Sequence, residues 1–183
     1  MGLRSFGLAL SLFAGAVFTT GASAAELFAG VAAHDVNVKV ALCCFEKGAD
    51  FQFGARSAPL SRPFGLGELH AYAFGSINDA GGANFAVAGL DVRIPIDGGR
   101  FYIQPGLGGA IHDGPGEKFQ RTPDRLYFGS RLLFAPELSL GWAPSPRWAA
   151  ELTFLHLSHA QLGGPQNPGL DDIGLRIVRR LGR

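Results

Sequence analysis

Residues 126–142 read LYFGSRLLFAPELSLGW. Taking every second side chain from Leu126 gives Leu126, Phe128, Ser130, Leu132, Phe134, Pro136, Leu138, Leu140 and Trp142, an almost wholly apolar set. The intervening set, from Tyr127 to Gly141, is mixed and holds both charges, Arg131 and Glu137. A period of two belongs to a strand, whose successive side chains leave on opposite faces; a helix would repeat at about 3.6. A strand over all of 126–142 exceeds the roughly 5–6 residues usual in soluble sheets. It suits a tilted strand that crosses a bilayer, which needs about 9–11.

The same alternation recurs along the chain. Within 84–96, Ala86, Ala88, Leu90, Val92, Ile94 and Ile96 share one face, and Asp91 and Arg93 the other. Within 101–111, Phe101, Ile103, Leu107 and Ile111 oppose Tyr102, Gln104, Gly106, Gly108 and Ala110. Within 172–181, Ile173, Leu175, Ile177 and Leu181 oppose Asp172, Gly174, Arg176 and Arg180. Small and charged residues opposite an apolar face fit a barrel with a lipid-facing exterior and a packed polar lumen. A soluble β-sandwich also alternates, but its outer face would be richer in Lys and Glu than this chain supplies. Strands are expected over 26–34, 49–58, 67–76, 84–96, 101–112, 126–142, 147–159 and 170–181. The predicted fold is therefore all-β, an eight-stranded antiparallel transmembrane β-barrel. Short connections at Asp97–Arg100 and Pro144–Pro146 read as periplasmic turns, with Trp142 and Trp148 flanking the second as an interfacial girdle. The connection 59–66 is longer than such a turn should be.

Arg4, the apolar run 6–18 and Ala22-Ser23-Ala24 together have the form of a signal peptide with an A-x-A cleavage site. The run is too short for a bilayer-spanning helix, which needs about 20 residues. The expected organisation is a cleaved signal over 1–24 and an outer-membrane barrel domain over 25–183, located in the cell outer membrane. With 27 Gly among 183 residues a helical bundle is disfavoured, since interior Gly costs roughly 0.5–1 kcal/mol each against Ala. A net charge of +1 offers no field for nucleic acid. The Gly-rich stretch at Gly106–Gly109 lacks the Lys-Ser/Thr of a phosphate loop. The two cysteines, Cys43 and Cys44, are adjacent and build no disulfide framework. They read as thiols without a catalytic part, or as a vicinal or intermolecular bridge. No CxxC or HxxxH spacing indicates zinc.

The segment 147–178 carries the chemistry. On the strand 147–159 the outward stripe Trp148, Ala150, Leu152, Phe154 continues into His156 and Ser158. Residues i and i+2 of a strand lie about 6.6 Å apart on one face, within reach for a nucleophile–base pair. A hairpin through 160–169 returns Asp171 beside one of them, on the face of Ile173, while Asp172 points inward. Asp172 is expected to pair in the lumen with Arg131 or Arg176. The plainer reading is that the lipid band simply ends here and polar residues mark the rim. His156 and His159 point to opposite faces of a strand, so they are not expected to bind one metal.

His156-Leu157-Ser158-His159-Ala160, then Asn167-Pro168-Gly169 and an acid, resembles the outer-membrane lipid A 3-O-deacylases of the PagL type. Gly129-Ser130-Arg131, Phe134 and Gly141-Trp142 are similar as well. The family pattern is His-x-Ser-Asn-Ala with a Glu opening the last strand. Here His159 stands where the family has Asn, Asp171 where it has Glu, and Leu181 where such barrels end in an aromatic. The resemblance implies an esterase that removes the 3-O-linked acyl chain of lipid A in the outer leaflet. It implies Ser158 as nucleophile, His156 as general base and Asp171 as the orienting acid. It leaves the oxyanion donor to Gln161 or a backbone N–H in 159–163. No cofactor and no metal are called for. The expected partner is lipopolysaccharide in the outer membrane, with no nucleic acid and with a homodimer as a compatible assembly. The alternative is a small non-catalytic barrel, structural or adhesive.

Overall fold

A computed structural model describes residues 24–38, 40, 41, 45–117, 119, 121–164 and 167–181. The signal segment expected over 1–24, Ala24 excepted, and the Cys43–Cys44 pair lie outside these residues. The strands are β1 (Ala24–Ala33), β2 (Ala49–Ser57), β3 (Glu68–Asn78), β4 (Phe85–Ile96), β5 (Phe101–His112), β6 (Leu132–Trp142), β7 (Trp148–Leu157) and β8 (Leu170–Arg180). Each is antiparallel to the next, and β8 pairs with β1 to close a barrel. Closure leaves no unpaired strand edge, the condition for a sheet to cross hydrocarbon.

The alternation sorts the side chains as read. Leu138, Leu140, Trp142, Trp148, Leu152, Leu175 and Ile177 are exposed on the outer wall. Glu137, Ser139, Glu151, Thr153 and Arg176 are buried in the lumen. Phe101 pairs across from Trp142, and the Arg179 guanidinium lies 4.6 Å from the Trp148 ring centroid. These aromatics ring the end of the barrel that carries the short 4–5 and 6–7 turns.

The lumen holds charge in matched sets. Arg56 donates to Glu26 at 2.7 Å, to Asp91 at 2.9 Å and to Glu151 at 3.1 Å. Arg93 reaches both oxygens of Glu26 at 2.7 Å, and Arg176 those of Glu137 at 2.7 and 2.8 Å. Bidentate geometry makes these strong individual contacts. Tyr102 donates to Glu151 at 2.8 Å, and its ring takes the space where a Cβ on Gly141 would stand. Glycine is therefore the residue that admits Tyr102 to the network.

Three features differ from the sequence reading. β6 begins at Leu132 rather than 126. Gly129 takes φ +76°, which breaks the alternation, and Leu126 and Phe128 turn inward to join Phe85, Leu133, Leu157 and Leu170 in the apolar core at the loop end. They are buried, not lipid-facing. Asp172 points inward as expected, but its neighbours are Asp50, His34 and the Asp35 N–H, not Arg131 or Arg176. Arg131 lies outside the strand and donates to Gly114 O, and Arg176 belongs to Glu137. The long connection 58–67 is partly an extension of the sheet: Leu60 donates to Leu69 O at 2.7 Å and Leu69 to Ser61 O at 2.9 Å. It helps to line a cavity of about 670 Å³ at the turn end, shared with Arg93, Arg147 and Arg180.

Candidate active site

The polar end of the outer stripe lies at the opposite, loop end of the barrel. His156 and Asp171 occupy directly paired positions of β7 and β8. Their side chains meet at 2.6 Å, His156 Nδ1 to Asp171 Oδ1. An ionised carboxylate can only accept, so beside one the imidazole donates from Nδ1 and turns Nε2 away from the acid as its acceptor nitrogen. Ser158 follows two residues along the same face. β7 ends at Leu157, and Ser158 is held to β6 by one two-way bridge, Ser158 N–H to Phe134 O at 3.1 Å and Phe134 N–H to Ser158 O at 2.7 Å.

Parity places Asp171 on the outer wall, yet it is fully buried. Val36 and Ala41 cover it. Ala41 N–H donates to Asp171 Oδ2 at 2.9 Å, and Val36 N–H to Asp171 O at 2.8 Å. Both carboxylate oxygens are thus engaged, one by the imidazole and one by Ala41. His156 keeps a side-chain exposure of 17% and Ser158 is 9% exposed. The exterior reading holds for the strand faces, but not for the solvent access of the acid. Gly169, at φ +72°, lets the chain approach from the other side: a Cβ there would lie 3.0 Å from the Ala41 Cβ and 3.1 Å from His156 Cε1.

After Ser158 the chain reverses abruptly. Ala160 and Gln161 both have positive φ, at 50° and 63°, inside a turn closed by Leu162 N–H to His159 O at 2.9 Å. Two consecutive non-glycine residues in this region store strain, a pattern that clusters at functional sites. His159 is buried; its N–H goes to Asn167 Oδ1 at 3.1 Å, and its Nδ1 accepts from Gly163 N–H at 3.0 Å. Phe134, Leu132, Leu162 and Ile173 are exposed around this rim.

Behind the acid, on the lumen side, lies a cluster that sequence reading missed. His34 meets Asp50 at 3.0 Å through Nδ1 and Glu46 at 3.0 Å through Nε2, with Asp172 at 3.8 Å. Parity along 26–34 and 49–58 does place His34 and Asp50 inside. Glu46 comes from a loop, which no periodicity reaches. Burial pushes the His34 imidazole down, but its bonds with Asp50 and Glu46 outweigh that and lift it to about 10. Burial likewise pushes Glu46 up, while His34 and the N–H groups of Leu126 and Ala83 hold it below the usual carboxylate range.

A model of the lipid A 3-O-deacylase (PagL) family matches residues 48–180. Among solved structures, the outer membrane enzyme PagL superimposes with a TM-score of 0.58 at 18% identity, over 86% of this chain and 100% of that one. Neisserial surface protein A gives 0.54 at 10% identity, over 88% and 99%. A de novo designed transmembrane β-barrel gives 0.52 at 13% identity, over 87% and 98%. At these identities the structural likeness is one of fold. No curated protein matches the chain.

Proposed function

This chain belongs to the lipid A 3-O-deacylase (PagL) family, and from that premise we propose that Ser158, His156 and Asp171 perform its reaction. The chain is an outer-membrane ester hydrolase that acts on lipid A. The observation that supports the residue assignment is the 2.6 Å contact of His156 with Asp171, two residues before a serine on the same strand face. In this reading Ser158 Oγ attacks the carbonyl of the 3-O-linked acyl chain while His156 Nε2 takes the hydroxyl proton. The tetrahedral intermediate expels the sugar oxygen, which takes that proton from the imidazolium. Water, activated by the same imidazole, then frees the acid from Ser158. Asp171 holds the ring in the Nδ1–H tautomer and stabilises its cation, and Ala41 N–H keeps the carboxylate in place. Among the described residues, the N–H groups of Ala160 and Gln161 make no hydrogen bond, and the strained turn offers them as oxyanion donors. Phe134, Leu132 and Leu162 form the apolar wall for the acyl chain. The triad comes from one chain, so the chemistry does not depend on a homodimer. The test is mass spectrometry of lipid A from cells expressing the protein. Loss of one 3-O-acyl chain with wild type, and none with Ser158→Ala, His156→Ala or Asp171→Asn, is the expected result. An active Ser158→Ala overturns the assignment.

A further inference from the structure

We propose that His34, Asp50 and Asp172 bind one divalent cation of the zinc type, as a structural site that fastens the chain leaving β1 at His34 to β2 and β8 beneath Asp171. The three residues come from the end of β1, from β2 and from β8, and are buried. Their ligand atoms lie within 4.8 Å of one another, the one such group among the described residues. Metal–ligand bonds of about 2.0–2.2 Å put ligand atoms roughly 3.0–3.5 Å apart. The His34–Asp50 separation is 3.0 Å and the His34–Asp172 separation 3.8 Å, so only Asp172 needs to close.

An independent observation points to a ligand. Asp172 is 1% exposed, and its Oδ2 has no hydrogen-bond partner. The Asp172 carboxyl lies against that of Asp50, and two buried carboxyl groups side by side need a proton or a cation between them. The surroundings match those of metal ligands. A ligating histidine usually gives its second nitrogen to a carboxylate, which fixes the ring. Here His34 Nε2 meets Glu46 at 3.0 Å, and Glu46 is itself held by Ala83 N–H at 2.6 Å and Leu126 N–H at 3.0 Å. Asp50 is held by Ser76 Oγ at 3.0 Å and Asn78 Nδ2 at 2.9 Å, and Asp172 Oδ1 by Asp35 N–H at 3.3 Å. One imidazole with two carboxylates is a donor set for zinc or its first-row neighbours rather than for calcium. The cation balances the charge of Asp50 and Asp172. It takes no part in ester cleavage, so the inference stands whether or not the triad assignment does.

The experiment uses the full chain folded in detergent, in a Cys43→Ser, Cys44→Ser background so that thiols supply no ligand. The protein is stripped with chelator, exposed to zinc chloride, freed of excess and assayed for metal and for its heat-denaturation midpoint. One Zn²⁺ retained per chain, a raised midpoint, and at least tenfold weaker retention in both Asp172→Asn and His34→Gln are expected. Asp172→Asn keeps the side chain's shape, so it separates ligand loss from misfolding. Two results overturn the site: no Zn²⁺ retained by the parent, which leaves an imidazolium bridging Asp50 and Glu46, or retention in Asp172→Asn equal to the parent's.

Discussion

The two halves of the lumen handle charge in opposite ways. Toward the turn end, Arg56 and Arg93 face Glu26, Asp91 and Glu151 in a network where every carboxylate touches a guanidinium or the Tyr102 hydroxyl. Toward the loop end, Glu46, Asp50 and Asp172 gather around one imidazole, with the Arg125 guanidinium 3.4 Å from Glu46. The first arrangement satisfies itself and fills the barrel. The second is short of positive charge, is tied to a loop, and lies against the proposed catalytic acid. Stability and chemistry are thus assigned to opposite ends of one tube, and substitutions should separate them.

The largest separation is expected at the loop end. Ser158→Ala and His156→Ala should each lower turnover by roughly 10⁴–10⁶, the scale seen when a member of a catalytic unit is removed. Heat-modifiable migration on gels should be unchanged, because neither side chain packs the lumen. Next comes the pair Asp171 and Asp172. Asp171→Asn should cost on the order of 10⁴ in turnover, as removal of the orienting charge does in the serine triad. Asp172→Asn should leave turnover within about tenfold and change the denaturation midpoint instead. Lipid A deacylation measured side by side in the two variants checks this, and the reverse pattern would place the acid on the lumen face.

The turn end should give the opposite result. Arg56→Ala leaves Glu26, Asp91 and Glu151 without their shared cation, and breaking a buried pair typically costs about 3–5 kcal/mol. Urea titration in micelles should show that loss, with kcat of the surviving folded fraction near wild type. The smallest effect expected is that of Gly141→Ala. A methyl there collides with Tyr102, and overpacking of this kind costs about 1–3 kcal/mol. An activity defect in Gly141→Ala at full occupancy of the fold would show that the two ends are coupled.

Most of the barrel was legible because a closed sheet imposes one rule on every strand. Outward Leu138, Leu140 and Trp142 and inward Glu137 and Ser139 follow from parity alone; parity also puts Asp171 on the face of His156 and Ser158, and the register of β7 with β8 pairs it with His156. Parity fails where the ladder stops. Leu126 and Phe128 continue the pattern on paper, but Gly129 turns the chain and sends them inside. Asp171 has outward parity, yet a loop more than a hundred residues away in sequence covers it. Glu46 is invisible for the same reason: a loop carries side chains to wherever its backbone bonds allow, and only the folded structure sets those bonds.

The proposed nucleophile is on the outside of the wall, at its rim, and not in the cavity at the other end. An enzyme built this way meets its substrate by lateral diffusion within a leaflet. Its effective substrate concentration is then a surface fraction of lipid, not an amount per volume. Any amphiphile that enters the same layer, including the detergent used to extract the protein, dilutes the substrate and slows turnover without touching a residue. The cleaved fatty acid and the trimmed lipid leave sideways as well, so their build-up in the layer, more than their solubility in water, sets how long the reaction runs.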